Sequence, residues 1–189
     1  TPSSLISTVR VMTNANPFAQ RSTLEYELPP FAVIKEEHYL PAFYEGCTEH
    51  LAEVQAILDT PGAATFENTI VALEKSGQYL GRMMRVFYNK SSSDTNDALD
   101  AIEEEIAPKL AAHQDAISLN PVLFKRIKDL YDARESLGLN SEDSWLLERY
   151  YKDLIHKGAH LTEAQRVRLK ELNEELSSLQ TQFSKNVLA

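Results

Sequence analysis

Apolar side chains recur along most of the chain every three or four residues, the period that gathers them on one side of an α-helix. The steadiest run is Phe66, Ile70, Leu73, Gly77, Leu80, Met84 and Phe87, in alternating steps of four and three. It predicts a single helix reaching at least Phe87, with Gly77 as its irregular member. A glycine inside a helix costs roughly 1 kcal/mol relative to Ala, so Gly77 is expected where another helix backbone crosses closely. Upstream, Tyr39, Phe43, Leu51, Val54 and Leu58 share one face of a helix over about Lys35 to Leu58. Pro41 falls in its first turns, where a missing N–H is tolerated, and Thr60-Pro61-Gly62 ends it.

Ser91-Ser92-Ser93-Asp94 separates this pair from a third helix, about Asn96 to Leu119, carried by Leu99, Ile102, Ile106, Leu110 and Ile117. Pro108 is expected to kink that helix or break it in two. Asn120-Pro121, a capping residue followed by proline at the first helical position, opens a fourth helix. It runs to about Leu137 with Phe124, Ile127, Leu130 and Tyr131 inward, and Gly138 stops it. Ser141 caps a fifth, whose apolar band is Leu147, Tyr150, Tyr151, Leu154 and Ile155, and Gly158 ends it. The sixth begins at Thr162, with Gln165 as its capping-box partner, and carries Leu169, Leu172, Leu176, Leu179, Phe183 and Val187. Asn186-Val187-Leu188-Ala189 contains no glycine or proline stop, so the stripe is expected to continue into a longer chain.

Residues 1–35 do not share this rhythm. Asn16-Pro17 and Pro29-Pro30 favour extended backbone, and Leu24-Glu25-Tyr26-Glu27-Leu28 alternates as a strand would, with no partner strand in sight. The reading is all-α: a helical bundle of about six helices over residues 36–189, behind an extended N-terminal arm over 1–35.

Composition narrows the function. The 189 residues are 43% hydrophobic, enough to bury a core, and no apolar run approaches the ~20 residues of a membrane span. A net charge of −9 speaks against nucleic acid and anionic membrane as partners, which need clustered Lys and Arg. The first sixteen residues lack the apolar core of a signal peptide; they fit the remnant of one, or an artificial leader. The compartment, cytoplasm or periplasm, stays open.

Candidate chemistry is sparse. The single Cys47 excludes an internal disulfide and reads as a small apolar filler. His156 and His160 are four apart, but Gly158 lies between them and Lys157 follows the first, where the zinc-peptidase signature has Glu. His38 and His50 match no ligand pattern, and His113 falls between Leu110 and Ile117 on an apolar face, as a hydrogen-bonded core histidine. Glu103, Glu104 and Glu105 point around their helix, a solvated face rather than a metal cage. Tyr79, Tyr88 and Tyr151 have the reach to touch a peptide, although aromatics at helical spacing are usually core. No catalytic, cofactor-binding or metal-binding residue is assigned.

The stretch Phe66-Glu67-Asn68-Thr69-Ile70-Val71-Ala72-Leu73-Glu74-Lys75-Ser76-Gly77, with Leu80 and Arg82, resembles the N-terminal region of thimet-oligopeptidase-like zinc metallopeptidases. The likeness continues through Ile106-Ala107-Pro108-Lys109-Leu110, His113, Leu119-Asn120-Pro121, Leu123-Phe124, Leu130-Tyr131 and Arg134. It also takes in Leu146-Leu147-Glu148, Gly158-Ala159 and Phe183 to Leu188. Asn16-Pro17-Phe18, Pro30-Phe31 and His38-Tyr39 with Pro41-Ala42-Phe43 look most like the bacterial peptidyl-dipeptidase branch, with oligopeptidase A as the nearest alternative.

The resemblance implies a largely helical enzyme of two lobes around a narrow channel that admits short peptides. One zinc ion would be held by a His-Glu-x-x-His helix and a downstream Glu. This sequence has no such motif, so no zinc ligand is carried over, and the chain alone is expected to be inactive. Its helices would form part of the channel wall, with the C-terminal catalytic lobe as partner, and an uncovered interface would invite dimers. The rival is an independent helical adaptor that binds a partner helix.

Overall fold

The computed structural model describes residues 16–188, so the leader proposed for the first residues and the closing Ala189 lie outside the described residues. Six helices of twelve residues or more follow one another: α1 (Tyr39–Leu58), α3 (Gln78–Ser93), α4 (Asp97–Ser118), α5 (Pro121–Asp132), α6 (Ser141–His156) and α7 (Glu163–Leu188). The short α2 (Ala72–Lys75) lies between α1 and α3, entered through a wide π-helical turn at Phe66–Val71. Among the described residues there is no strand, and the chain is all-α.

Local chemistry places the helix starts. Asn96 accepts the Leu99 N–H, Asn120 the Val122 and Leu123 N–H groups, and Thr162 with Gln165 closes the expected capping box. The cap of α6 is Asn140, one residue before the expected Ser141; its carboxamide oxygen accepts the Asp143 N–H at 2.9 Å. The fourth helix stops at Asp132 and continues as a 3-10 turn, Arg134–Ser136, rather than reaching Leu137 as one helix.

Several expectations fail for identifiable reasons. The run from Phe66 to Phe87 is not one helix: it breaks at Ser76-Gly77, where Ser76 is extended and Gly77 has φ +68°. The stripe stays in phase across the break because both pieces pack on α1, so periodicity alone could not reveal it. Gly77 does not mark a helix crossing either; an added Cβ there would meet the His50 ring at 2.9 Å. The close crossing is at Gly46 on α1, whose would-be Cβ lies 3.0 Å from the Leu80 Cα of α3. The alternating Leu24–Leu28 segment is a 3-10 turn with Tyr26 and Glu27 at φ 57° and 54°, a conformation no strand contains. Alternation without a pairing edge does not make a sheet. Pro108 does not break α4 in two: one helix runs from Asp97 to Ser118, packed on α1 and α7. Leu51 is exposed, and Ile57 rather than Leu58 is fully buried on α1.

The core has two clusters. Phe18, Tyr39, Phe43, Leu80, Met83, Phe87, Leu99 and Ile106 join the arm, the first half of α1, α3 and the first half of α4. Val54, Ile57, Phe66, Ile70, Leu123, Ile127, Leu147 and Leu154 join the second half of α1 to the π turn, α5 and α6.

Candidate functional site and comparisons with known proteins

Between the two clusters lies a polar seam. On α1, His50 falls between Cys47 and Val54; before α3, Ser76-Gly77 falls between Leu73 and Tyr79; on α4, His113 falls between Leu110 and Ile117. The three meet. His50 Nδ1 is 3.0 Å from His113 Nε2, and His50 Nε2 is 3.3 Å from the Ser76 hydroxyl. That hydroxyl donates its single proton to the Leu73 carbonyl at 2.7 Å, so it accepts from His50 Nε2–H. His50 Nδ1 is then bare and accepts from His113 Nε2–H. His113 Nδ1 is left as a buried nitrogen with no partner.

This wiring keeps both rings neutral. Burial pushes the His113 pKa down to about 4, with the His50 ring adding to the effect. Burial lowers His50 as well, against the opposing pull of the Glu53 carboxylate. Glu53 is itself occupied, accepting the Gly77 N–H at 2.6 Å. Because the Ser76 proton points at a carbonyl rather than at His50, the arrangement activates no nucleophile. It holds α1, the α2–α3 break and α4 in register. His113 is therefore the hydrogen-bonded core histidine that its place on an apolar face suggests, and His50, which matches no ligand pattern, is its partner. The missed signal was that His50 itself sits on the buried stripe of α1, between Phe43 and Val54.

The other candidates stay apart. α6 ends at His156, so His160 does not share a helix face with it, and both side chains are exposed. Among the described residues no group of three or more His, Cys, Asp and Glu side chains could hold a metal ion. Cys47 packs against the first cluster, and burial raises its thiol to about 11, so it is not a poised thiolate. Tyr79 is buried with its hydroxyl on Glu45, and Tyr151 stacks on Tyr131 with centroids 4.1 Å apart; Tyr88 is exposed. No described helix is long and apolar enough to cross a membrane.

The least expected surface is on α7. This helix packs antiparallel to α4 through polar groups: Asn173 donates to both Asp115 carboxylate oxygens at 2.9–3.0 Å, and Lys185 donates to the Asp100 carbonyl and pairs with Glu104 at 2.8 Å. Ser177 and Thr181 lie between those contacts on the covered side. The apolar stripe points elsewhere. Leu172, Leu176, Leu179, Phe183 and Val187 are all more than 40% exposed, Phe183 by 69%. Monomeric soluble proteins rarely expose such a continuous row of large apolar side chains.

The described residues are thus all-helical apart from turns and loops, leave the apolar face of α7 uncovered and bring together no metal-binding group. The chain is a homologue of bacterial dipeptidyl carboxypeptidases, with oligopeptidase A as more distant kin. It is 42% identical over 178 residues to the dipeptidyl carboxypeptidase of Escherichia coli strain K12, covering 94% of this chain and 26% of that protein. With the enzyme of the same name from Salmonella typhimurium it shares 39% identity over 93% of this chain and 26% of the other. Oligopeptidase A of Salmonella typhimurium is 26% identical over 86% of this chain and 24% of its own length. The chain thus spans about a quarter of the length of these curated relatives. No protein-family model matches it.

Proposed function

We propose that this chain is the N-terminal helical part of a zinc metallopeptidase that releases C-terminal dipeptides from short peptides. In that protein it would build part of the substrate-channel wall, and it would be inert alone. The observation that carries the reading is 42% identity, nearly end to end, to a protein named dipeptidyl carboxypeptidase of which it spans 26%. The chain's own residues do not suit the zinc ion: the sequence has no His-Glu-x-x-His, and no described cluster offers three ligands. Zinc and the chemistry it supplies would belong to the remaining three quarters of such a protein. The uncovered α7 face supports the same reading, since five exposed apolar side chains in a row need a covering surface, and the rest of a longer chain would supply it. In isolation, two copies would pair through it.

Zinc content and hydrolysis of a short blocked peptide, measured on the 189-residue chain and on the full-length product, test the proposal. Metal and turnover in the longer protein alone support it, with dipeptides as the released product. Internal cleavage instead of dipeptide release would move the protein to the oligopeptidase A type. Stoichiometric zinc or turnover in the 189 residues would overturn the proposal. At a dilution where the isolated chain is monomeric, Leu179→Lys should leave its thermal midpoint unchanged, because the side chain is then solvated, yet destabilise the full-length protein. An equal effect in both would remove α7 as the covered face, and a helix partner binding this chain directly would favour an adaptor.

A further inference from the structure

A second surface has a chemistry of its own, independent of the peptidase reading. Gln78, Arg82, Arg85 and Asn89 follow each other in steps of four, three and four, so they form one ladder along α3. All four line a cavity of about 550 Å³ between α3 and the N-terminal arm, and the opposite wall is apolar, with Pro29, Pro30 and Phe31.

The ladder is cationic inside an acidic protein. Three guanidiniums, Arg21, Arg82 and Arg85, face this cavity against one carboxylate, Glu27, in a chain of net charge −9. Arg21 is already engaged, 3.8 Å from Glu27 and donating to Gln78 at 2.7 Å. The other two are not neutralised. Arg82 donates to the Phe18 carbonyl at 3.2 Å while its Nε is buried without a partner, and Arg85 makes no hydrogen bond or ion pair with any described residue. The buried Arg82 N–H without an acceptor costs free energy, and the exposed Arg85 stands one turn away, so an anion bound here would meet both guanidiniums. The chain's first fifteen residues contain no Asp or Glu, so they cannot be that anion.

We propose that this groove binds an extended acidic peptide, whose carboxylates pair with Arg82 and Arg85. The length fits: the eleven steps from Gln78 to Asn89 rise about 16 Å, the span of about five residues of extended chain. The lining fits as well. Guanidiniums recognise carboxylates through paired donors, the Asn89 amide offers the donor and acceptor that a peptide backbone uses, and the proline-aromatic wall receives apolar side chains. A polyanion such as nucleic acid would extend past the groove and meet the repulsion of a chain of net charge −9, whereas a short peptide stays beside the guanidiniums.

The test is fluorescence anisotropy of a dye-labelled, end-blocked pentapeptide carrying two Glu residues, against its Gln analogue, on the 189-residue chain. Saturable binding of the Glu peptide, at least about tenfold tighter than the Gln analogue, is expected. Arg85→Gln should weaken it about tenfold with no change in the circular-dichroism melt, because Arg85 is exposed and supports nothing else. Four results would overturn the proposal: no saturable binding, equal affinity for both peptides, indifference to Arg85→Gln, or displacement by inorganic phosphate at the concentration of the peptide itself. The last would leave a simple anion site.

Discussion

The histidine pair makes the stability of this protein depend on mildly acidic pH in a calculable way. His113 titrates near 6.5 in an unfolded chain and at about 4 in the fold, where burial and the His50 ring oppose its charging. Between those values the unfolded state holds one more proton than the folded state, so unfolding becomes more favourable as pH falls. The stabilisation is complete above the unfolded pKa, declines through the window from about 6.5 to 4, and is gone below it. A displacement of this size corresponds to about 3 kcal/mol from His113 alone, a substantial part of a typical domain's stability. His50 acts in the same direction, since its pKa is also lowered by burial.

Urea unfolding followed by circular dichroism, at steps from pH 7.5 to pH 4, would measure this loss. Carboxylates titrate in the lower part of the window, so the informative quantity is the difference between the native chain and His113→Gln. The variant starts less stable, having lost the ring that bonds His50 at 3.0 Å, but its stability should fall by about 2–3 kcal/mol less over the same range. If the two curves fall in parallel, His113 is not held neutral by the fold and the wiring deduced for the Ser76–His50–His113 chain is wrong.

Other substitutions probe the packing. Gly46→Ala places a methyl 3.0 Å from the Leu80 Cα, and backbone cannot step aside; overpacking should outweigh the gain in helix propensity and cost about 1–2 kcal/mol, read as a lowered thermal midpoint. Gly77→Ala meets both the His50 ring at 2.9 Å and a φ of +68°, so it should destabilise by about 1–3 kcal/mol and reduce the pH dependence along with the midpoint. Cys47, with its thiol raised to about 11, should react with a disulfide reagent at pH 8 roughly two orders of magnitude more slowly than in urea-unfolded chain; equal rates would mean that the thiol is not held in the core.

Much of this protein is legible in one dimension. Helix starts are written by short-range chemistry, as at Asn96, Asn120 and Thr162, where a side chain satisfies N–H groups two or three residues ahead. Helix faces follow from a period of 3.6, which needs no knowledge of what lies opposite. The resemblance that leads to the relatives is likewise a property of residue order alone. The tertiary structure decided the rest, because it depends on what meets what. Periodicity could not show that the Phe66–Phe87 stripe breaks at Gly77, since both halves face α1. It could not show that His50 and His113, 63 residues apart, share a hydrogen bond, or that Gly46 rather than Gly77 admits a neighbouring helix. Nor could it show that α7 spends its polar side on α4 and leaves its leucines in water. A hydrophobic stripe states that a face is fit for burial. Whether something covers it depends on which groups compete for the neighbouring helix, and here Asp115, Asp100 and Glu104 drew the polar side of α7 inward.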